Sequence, residues 1–363
     1  MRLLYYNPGI VAHERNRNRA DIDRFGKFFQ IFNSSVVIVD RTNSIKIPVQ
    51  VKSLFPMPAL QPINKTFEEI CNQRARDLLK RSDDLKAPIY VFWSGGIDST
   101  LLLVTFLKNS TDEQVRRITV LMSEESISEN PTFYKEHILG KLHMDSSLNF
   151  PHVLGGSGII VGGEHNDQLF GSDMMGQLIV RFGPNIINER RNSDKLILFF
   201  TEKTNDPRAG RFYLELFDRL AARSPVAIET HHDYFWWINF SLKWQSVFMR
   251  MLAYTSERTV ANITADYITT NYFHFYGKED FQLWSMNNMD KKIKDTWNTY
   301  KWVCKDIIYD YTRDADYRDN KTKRGSLFHL LTQRSRYEFI DESMQFHRGL
   351  DFTEYYNPDN DFI

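Results

Sequence analysis

Short apolar runs, each ending in a polar, glycine-bearing turn, are the clearest pattern along the chain. Pro88-Ile89-Tyr90-Val91-Phe92-Trp93 shows no polar alternation, as in a strand buried on both faces of a parallel sheet. It leads into Ser94-Gly95-Gly96-Ile97-Asp98-Ser99, and the following run, Leu101 to Leu107, reads as a buried helix. Arg117 to Met122 predicts a second strand and Gly158-Ile159-Ile160-Val161 a third, the latter running into Gly162-Gly163-Glu164-His165-Asn166-Asp167. Both glycine turns follow strands. Open parallel sheets bind ligands beyond the carboxyl ends of their strands, so the two turns are expected to face one site.

Upstream, apolar residues at helical spacing (Ile70, Ala75, Leu78, Leu79) predict a helix from about Phe67 to Lys80. The β-branched stretches Ser35 to Val39 and Ile45 to Val51, closed by the proline-bearing segment Phe55 to Pro62, suggest a small strand-containing α+β cap over residues 1–85. From about residue 190 the pattern is mostly helical and aromatic. The expected class is therefore α/β: a Rossmann-like parallel sheet flanked by helices in a main domain over 86–363, with a helical C-terminal part and the small N-terminal domain. No internal repeat or low-complexity tract interrupts it.

Composition narrows the class. The chain has 363 residues, 42% of them hydrophobic and 14% aromatic, ordinary values for a folded protein with a sizeable core. Its 46 basic residues equal its 46 acidic ones, so no global field draws it to nucleic acid or an anionic membrane. The two cysteines, Cys71 and Cys304, form no CxxC and suggest neither a disulfide framework nor a zinc site. With no signal-like start and no run of about 18 apolar residues, a cytoplasmic protein is expected.

The first glycine loop carries the chemistry. Between a buried strand and a helix start, unpaired backbone N–H groups and the helix dipole favour an anion, and Gly95 and Gly96 let the backbone approach it closely. Ser94 and Ser99 can donate hydroxyls to phosphate oxygens. Asp98 is out of place in a phosphate nest unless a cation intervenes, which points to Mg²⁺.

Ser-Gly-Gly-x-Asp-Ser after a strand resembles the pyrophosphate loop of the N-type ATP pyrophosphatases. Within that superfamily, Gly163-Glu164-His165-Asn166-Asp167-Gln168-Leu169-Phe170-Gly171 is similar to the Gly-Glu-Gly-x-Asp-Glu-x-Phe-Gly signature of the asparagine-synthetase synthetase domain. The resemblance covers roughly residues 86–330 and implies an adenine-nucleotide α-hydrolase-like fold. It puts Mg²⁺ on Asp98 and Asp167, against the phosphates of ATP. Adenosine falls against Trp93, Leu121 or Met122, and Gly162 and Gly163. The segment Asn271 to Lys305 looks like the family's C-terminal section, where a lysine opening a helix neutralises charge on the α-phosphate; that lysine is Lys301, with Lys305 in reserve. The basic stretch Lys321-Thr322-Lys323-Arg324 corresponds loosely to another family segment, with Lys323 facing pyrophosphate or lying in a solvated loop.

Two departures shape the expected activity. Gln168 stands where many relatives carry a carboxylate, leaving Glu164 to orient or deprotonate a nucleophile or else to cap the turn. Arg2 stands where glutamine-using synthetases carry a catalytic cysteine, so the nitrogen nucleophile is expected to be ammonia or an amine, as in β-lactam synthetases and lasso-peptide cyclases.

The expected enzyme is an ATP-dependent, AMP-forming ligase. A carboxylate or amide oxygen of a small molecule or peptide is adenylated, and an amine then displaces AMP. Activation of a nucleobase in RNA or DNA is a less favoured alternative, and an ATP-binding protein without turnover is a third. The aromatic stretch His231 to Trp244 reads as core in preference to a stacking platform, with too few ligands for a metal. Arg15, Arg17, Arg19 and Arg24 read as a solvated face among Glu14, Asp21 and Asp23.

Overall fold

The computed structural model describes residues 2–15, 20–32, 37–322 and 335–360. Its strands, in chain order, are β1 (Leu3–Tyr6), β2 (Ile89–Phe92), β3 (Ile118–Met122), β4 (His143–Ser146), β5 (Ile159–Gly162), β6 (Tyr272–His274), β7 (Phe339–Asp341) and β8 (Phe346–His347). Five of them form a parallel sheet in the order β4-β3-β2-β5-β6, flanked by helices. The chain is α/β, compatible with a Rossmann-like fold.

In the middle of this sheet β2 pairs with β3 on one side, Ile89 opposite Ile118, and with β5 on the other, Ile89 opposite Ile159. Runs without alternation fit that position, because β2, β3 and β5 are covered on both faces. From β2 the chain winds outward through β3 to β4, then returns to β5 and proceeds to β6. The order reverses between β2 and β5, opening a crevice where a ligand can enter beyond their carboxyl ends. Both glycine turns lie there.

The described residues divide into two compact units, one drawn from Met1–Ala59, Asp167–Ala253 and Ser335–Ile363, the other from Leu60–Asn166 and Tyr254–Arg334. The second holds the parallel sheet. Its helix Phe67–Leu85 starts at a capping box, Thr66 with Glu69, and stops where Lys86 turns left-handed at φ 50°. Its buried face, Ile70, Cys71, Arg74, Leu78 and Ser82, packs on the helix Ile97–Asn109.

The first unit contains an antiparallel sheet, β1-β7-β8, joining both ends of the chain. The expected β-branched strands do not form. Ser35 and Val36 lie outside the described residues, while Val39 and Arg41 donate their backbone N–H groups to the carbonyls of Leu242 and Ser241, at the end of a helix. Between Ile45 and Val51, only Val49 and Val51 make bridges, both isolated and both after Pro48, which lacks the N–H a strand ladder needs. That helix, His231–Leu242, is buried on every side except at Asp233, so its aromatic run is core. Of the early arginines, Arg24 is exposed, with its guanidinium 4.8 Å from the Phe212 ring; Arg17 and Arg19 lie outside the described residues. Among the described residues no helix is long and apolar enough to cross a membrane.

Candidate functional site

After β2 the chain turns at Gly95, whose φ of 74° favours glycine, and enters the helix Ile97–Asn109 at Gly96. A side chain on Gly95 would collide with the segment after β3, its Cβ 2.5 Å from the Ser126 carbonyl oxygen. The two serines close the loop on itself. Ser99 Oγ accepts from Ser94 N–H at 3.0 Å and lies 3.1 Å from Ser94 Oγ. Tyr317 donates its hydroxyl to the Gly95 carbonyl at 3.3 Å, and burial holds that phenol well above its usual pKa.

No side chain caps the N-terminus of this helix. Its first N–H groups and the positive end of its dipole are thus available to an anion. The helix Trp302–Thr312 packs on it, likewise lacks a side-chain cap and begins at Lys301, itself left-handed at φ 59°. An ion pair joins the first turns of the two helices. Lys301 Nζ donates to Asp98 Oδ1 and Oδ2, both at 2.6 Å, and its side chain is only 2% exposed.

Asn166, fully buried, completes the pair by donating from Nδ2 to Asp98 Oδ1 at 2.6 Å. Cys304 Sγ lies 3.6 Å from the same amide nitrogen; burial pushes its thiol up to about 12. From below, the Tyr276 hydroxyl donates to the Asp98 carbonyl at 2.8 Å. Asp98 therefore has its side chain and its main chain both fixed.

The turn after β5 presses against this first turn. A Cβ on Gly163 would lie 3.2 Å from Ser99 N, so glycine permits the close approach. His165, where the resembling signature has glycine, takes φ 76° and is buried with its ring 4.7 Å from that of His274. A side chain held in the left-handed region is strained backbone at a candidate site. The glycine this position prefers was a readable signal that the sequence pattern alone did not flag.

Several expected residues come together here: Ser94, Gly95, Gly96, Asp98, Ser99, Gly163 and Lys301, with Gly162 closing β5 and the half-buried Glu164 in the adjoining turn. Trp93 lies beneath the loop, fully buried, its Nε1 donating to Thr100 Oγ1 at 3.1 Å, so its indole presents no open face. Met122 ends β3, 9% exposed. Lys323 lies outside the described residues. Its neighbour Lys321 pairs with Glu129, whose stem backs onto Gly95.

Lys305 lies one turn beyond Lys301 and donates to the Asn298 carbonyl at 2.5 Å. Burial pushes its ammonium down to about 8, opposed by the nearby Asp319. Asp167 opens the other unit, where its carbonyl accepts from Asn239 Nδ2 at 3.2 Å. Gln168 is buried there, with Nε2 3.3 Å from Asn239 Oδ1. A carboxylate at 168 would face an amide in a buried setting, which gives the glutamine a structural reason.

Asn166, Tyr276 and Tyr317 were not expected. Each acts through a contact made across long sequence separation, and no local pattern marks it. Two helix N-termini thus converge on the Lys301–Asp98 pair, and uncapped N–H groups of this kind can meet the oxygens of an anion. A scan of protein-family models finds none that matches the chain, and no curated protein matches it in sequence.

Proposed function

We propose that the chain is an ATP-dependent, AMP-forming ligase built on an asparagine-synthetase-like N-type ATP pyrophosphatase domain of adenine-nucleotide α-hydrolase-like fold. One observation carries this reading. At the reversal of strand order, two helix N-termini without side-chain caps converge on the Lys301–Asp98 pair, with Gly163 packed against Ser99. A triphosphate suits this arrangement, because its oxygens meet backbone N–H groups, the Ser94 and Ser99 hydroxyls and a fixed ammonium.

The residues fit a Mg²⁺ ion that arrives with the nucleotide. Among the described residues no group of three or more His, Cys, Asp or Glu could hold a metal, and Mg²⁺ is ordinarily held by one or two carboxylates plus substrate phosphates. Asp98 is the carboxylate that would contact it, and the ion would offset charge on the phosphate oxygens.

In the proposed reaction a carboxylate or amide oxygen attacks the α-phosphorus of ATP. The bond to the β-phosphate oxygen breaks, and pyrophosphate leaves into the glycine loop. Lys301, oriented by Asp98 and Asn166, stabilises charge on the α-phosphate, and alignment supplies much of the rest. An amine then attacks the adenylated carbon and AMP departs, with Glu164 as the group that orients or deprotonates the amine. Substrate and amine are small molecules or peptides in this reading.

A second reading, an ATP-binding protein without turnover, draws on the same ion pair: Lys301 already engages both Asp98 oxygens. The two are separated by AMP and pyrophosphate release from α-labelled Mg-ATP, with the small-molecule fraction of a source-cell extract as substrate pool. Extract-dependent AMP from the wild type, absent with Asp98→Ala, supports the ligase. Nucleotide binding with no AMP from either protein supports the second reading.

A further inference from the structure

Away from the glycine loop, two arginines of the helix Phe67–Leu85 bond the chain on either side of the edge strand β6. Arg74 Nε donates to the Phe275 carbonyl at 3.3 Å and Arg81 Nε to the Thr270 carbonyl at 2.5 Å. Both guanidinium groups lie near the Phe273 ring, 5.2 and 5.8 Å from its centre. Both carbonyls lie just outside β6, one before and one after it, so the arginines tie down the chain on either side of this edge strand.

These bonds use only part of each side chain. Each arginine is hydrogen-bonded through Nε alone, and among the described residues neither has a partner for Nη1 or Nη2. Arg74 is only 8% exposed, and burial pushes its guanidinium down to about 10. The carboxylate that opposes this, Asp77, is already bonded by Lys278 and Gln73. Lys80 is likewise paired with Asp84. The Nη groups are not sealed in the interior but reach solvent, so an anion in the groove can take them in place of water.

These groups line a groove of about 330 Å³, in which four cations, Arg74, Lys80, Arg81 and Lys278, face two carboxylates, Asp77 and Asp84. None of its lining residues belongs to the two glycine turns. We propose that this groove is a second binding site, for a small oxyanion with two or more terminal oxygens, held by the free forks of Arg74 and Arg81. Planar forks match phosphate or paired carboxylate oxygens in a way lysine does not. Lys80 and Lys278 add attraction at the rim.

The test uses the full chain. Phenylglyoxal labelling of Arg74 and Arg81 is followed by peptide mass spectrometry while inorganic phosphate, or malonate in a second arm, is titrated at ionic strength held constant with chloride. The expected result is saturable protection of both arginines. In Arg81→Gln the half-protecting concentration at Arg74 rises about tenfold or more, as when a charge-assisted contact is removed. The stronger of the two anions identifies the source as phosphate or dicarboxylate. Arg81 is half-buried, so this variant is expected to fold; the anion-dependent rise in Tm, measured on the same proteins, should weaken in parallel. Protection that follows chloride equally, or that is unchanged in Arg81→Gln, would overturn the second site.

Discussion

The Lys301 ammonium donates to both carboxylate oxygens of Asp98 at 2.6 Å, joining the first turns of two helices that are 203 residues apart in sequence at this point. Its side chain is 2% exposed and that of Asp98 26%, so the ammonium is the more fully desolvated partner. Asp98→Ala would remove a carboxylate bonded by both oxygens to a buried ammonium and is expected to cost about 3 kcal/mol. Adding Lys301→Met should recover a large part of that loss. Urea unfolding of the two single variants and the double variant measures the coupling; additive costs would contradict it.

Glycine substitutions should rank by their surroundings. Gly95→Ala meets both a left-handed φ of 74° and the Ser126 carbonyl at 2.5 Å, whereas Gly163→Ala meets Ser99 N at 3.2 Å without that backbone strain. Strain and overpacking together are expected to cost about 2–4 kcal/mol at Gly95, and the Gly163 change less. Melting temperatures of the two variants test the order.

At position 165 the comparison is between two truncations. His165→Gly and His165→Ala both lose the ring packed on His274, but only alanine retains a Cβ at φ 76°. The glycine variant is expected to be the more stable by about 1 kcal/mol, measured by chemical unfolding.

These positions also show where the chain could be read in advance. β2, β3 and β5 were legible because strands covered on both faces leave runs without alternation, and the turns after β2 and β5 were legible because close approach demands glycine. β4 was missed because a mostly exposed edge strand, His143–Ser146, carries no apolar signal. β6 was missed because its three residues are too short for a period to show. In the site, Lys301 and Asp98 were each expected, but their direct pairing depends on helix packing that local pattern does not encode. Asn166 was hidden for the same reason.

Lys305 supplies a pH dependence. Its folded-state pKa, about 8, lies below the ordinary lysine value of 10.5, so between these values the unfolded chain binds more protons. Burial of the charge is fully destabilising below pH 8, and the penalty fades as pH rises towards 10.5. The stability of the wild type relative to Lys305→Met should therefore increase from pH 7.5 to 9.5. Urea unfolding at the two pH values checks this, and a constant difference would contradict it.

The proposed adenylation is most directly tested by exchange of labelled pyrophosphate into ATP, driven by the small-molecule fraction that supports AMP formation. Reversible adenylation at this site predicts exchange by the wild type that falls about 100-fold or more in Lys301→Met, a larger loss than the accompanying drop in ATP affinity, because a group aimed at developing charge acts mainly in the transition state. Exchange unaffected by Lys301→Met, or ADP and phosphate as the products, would contradict the account.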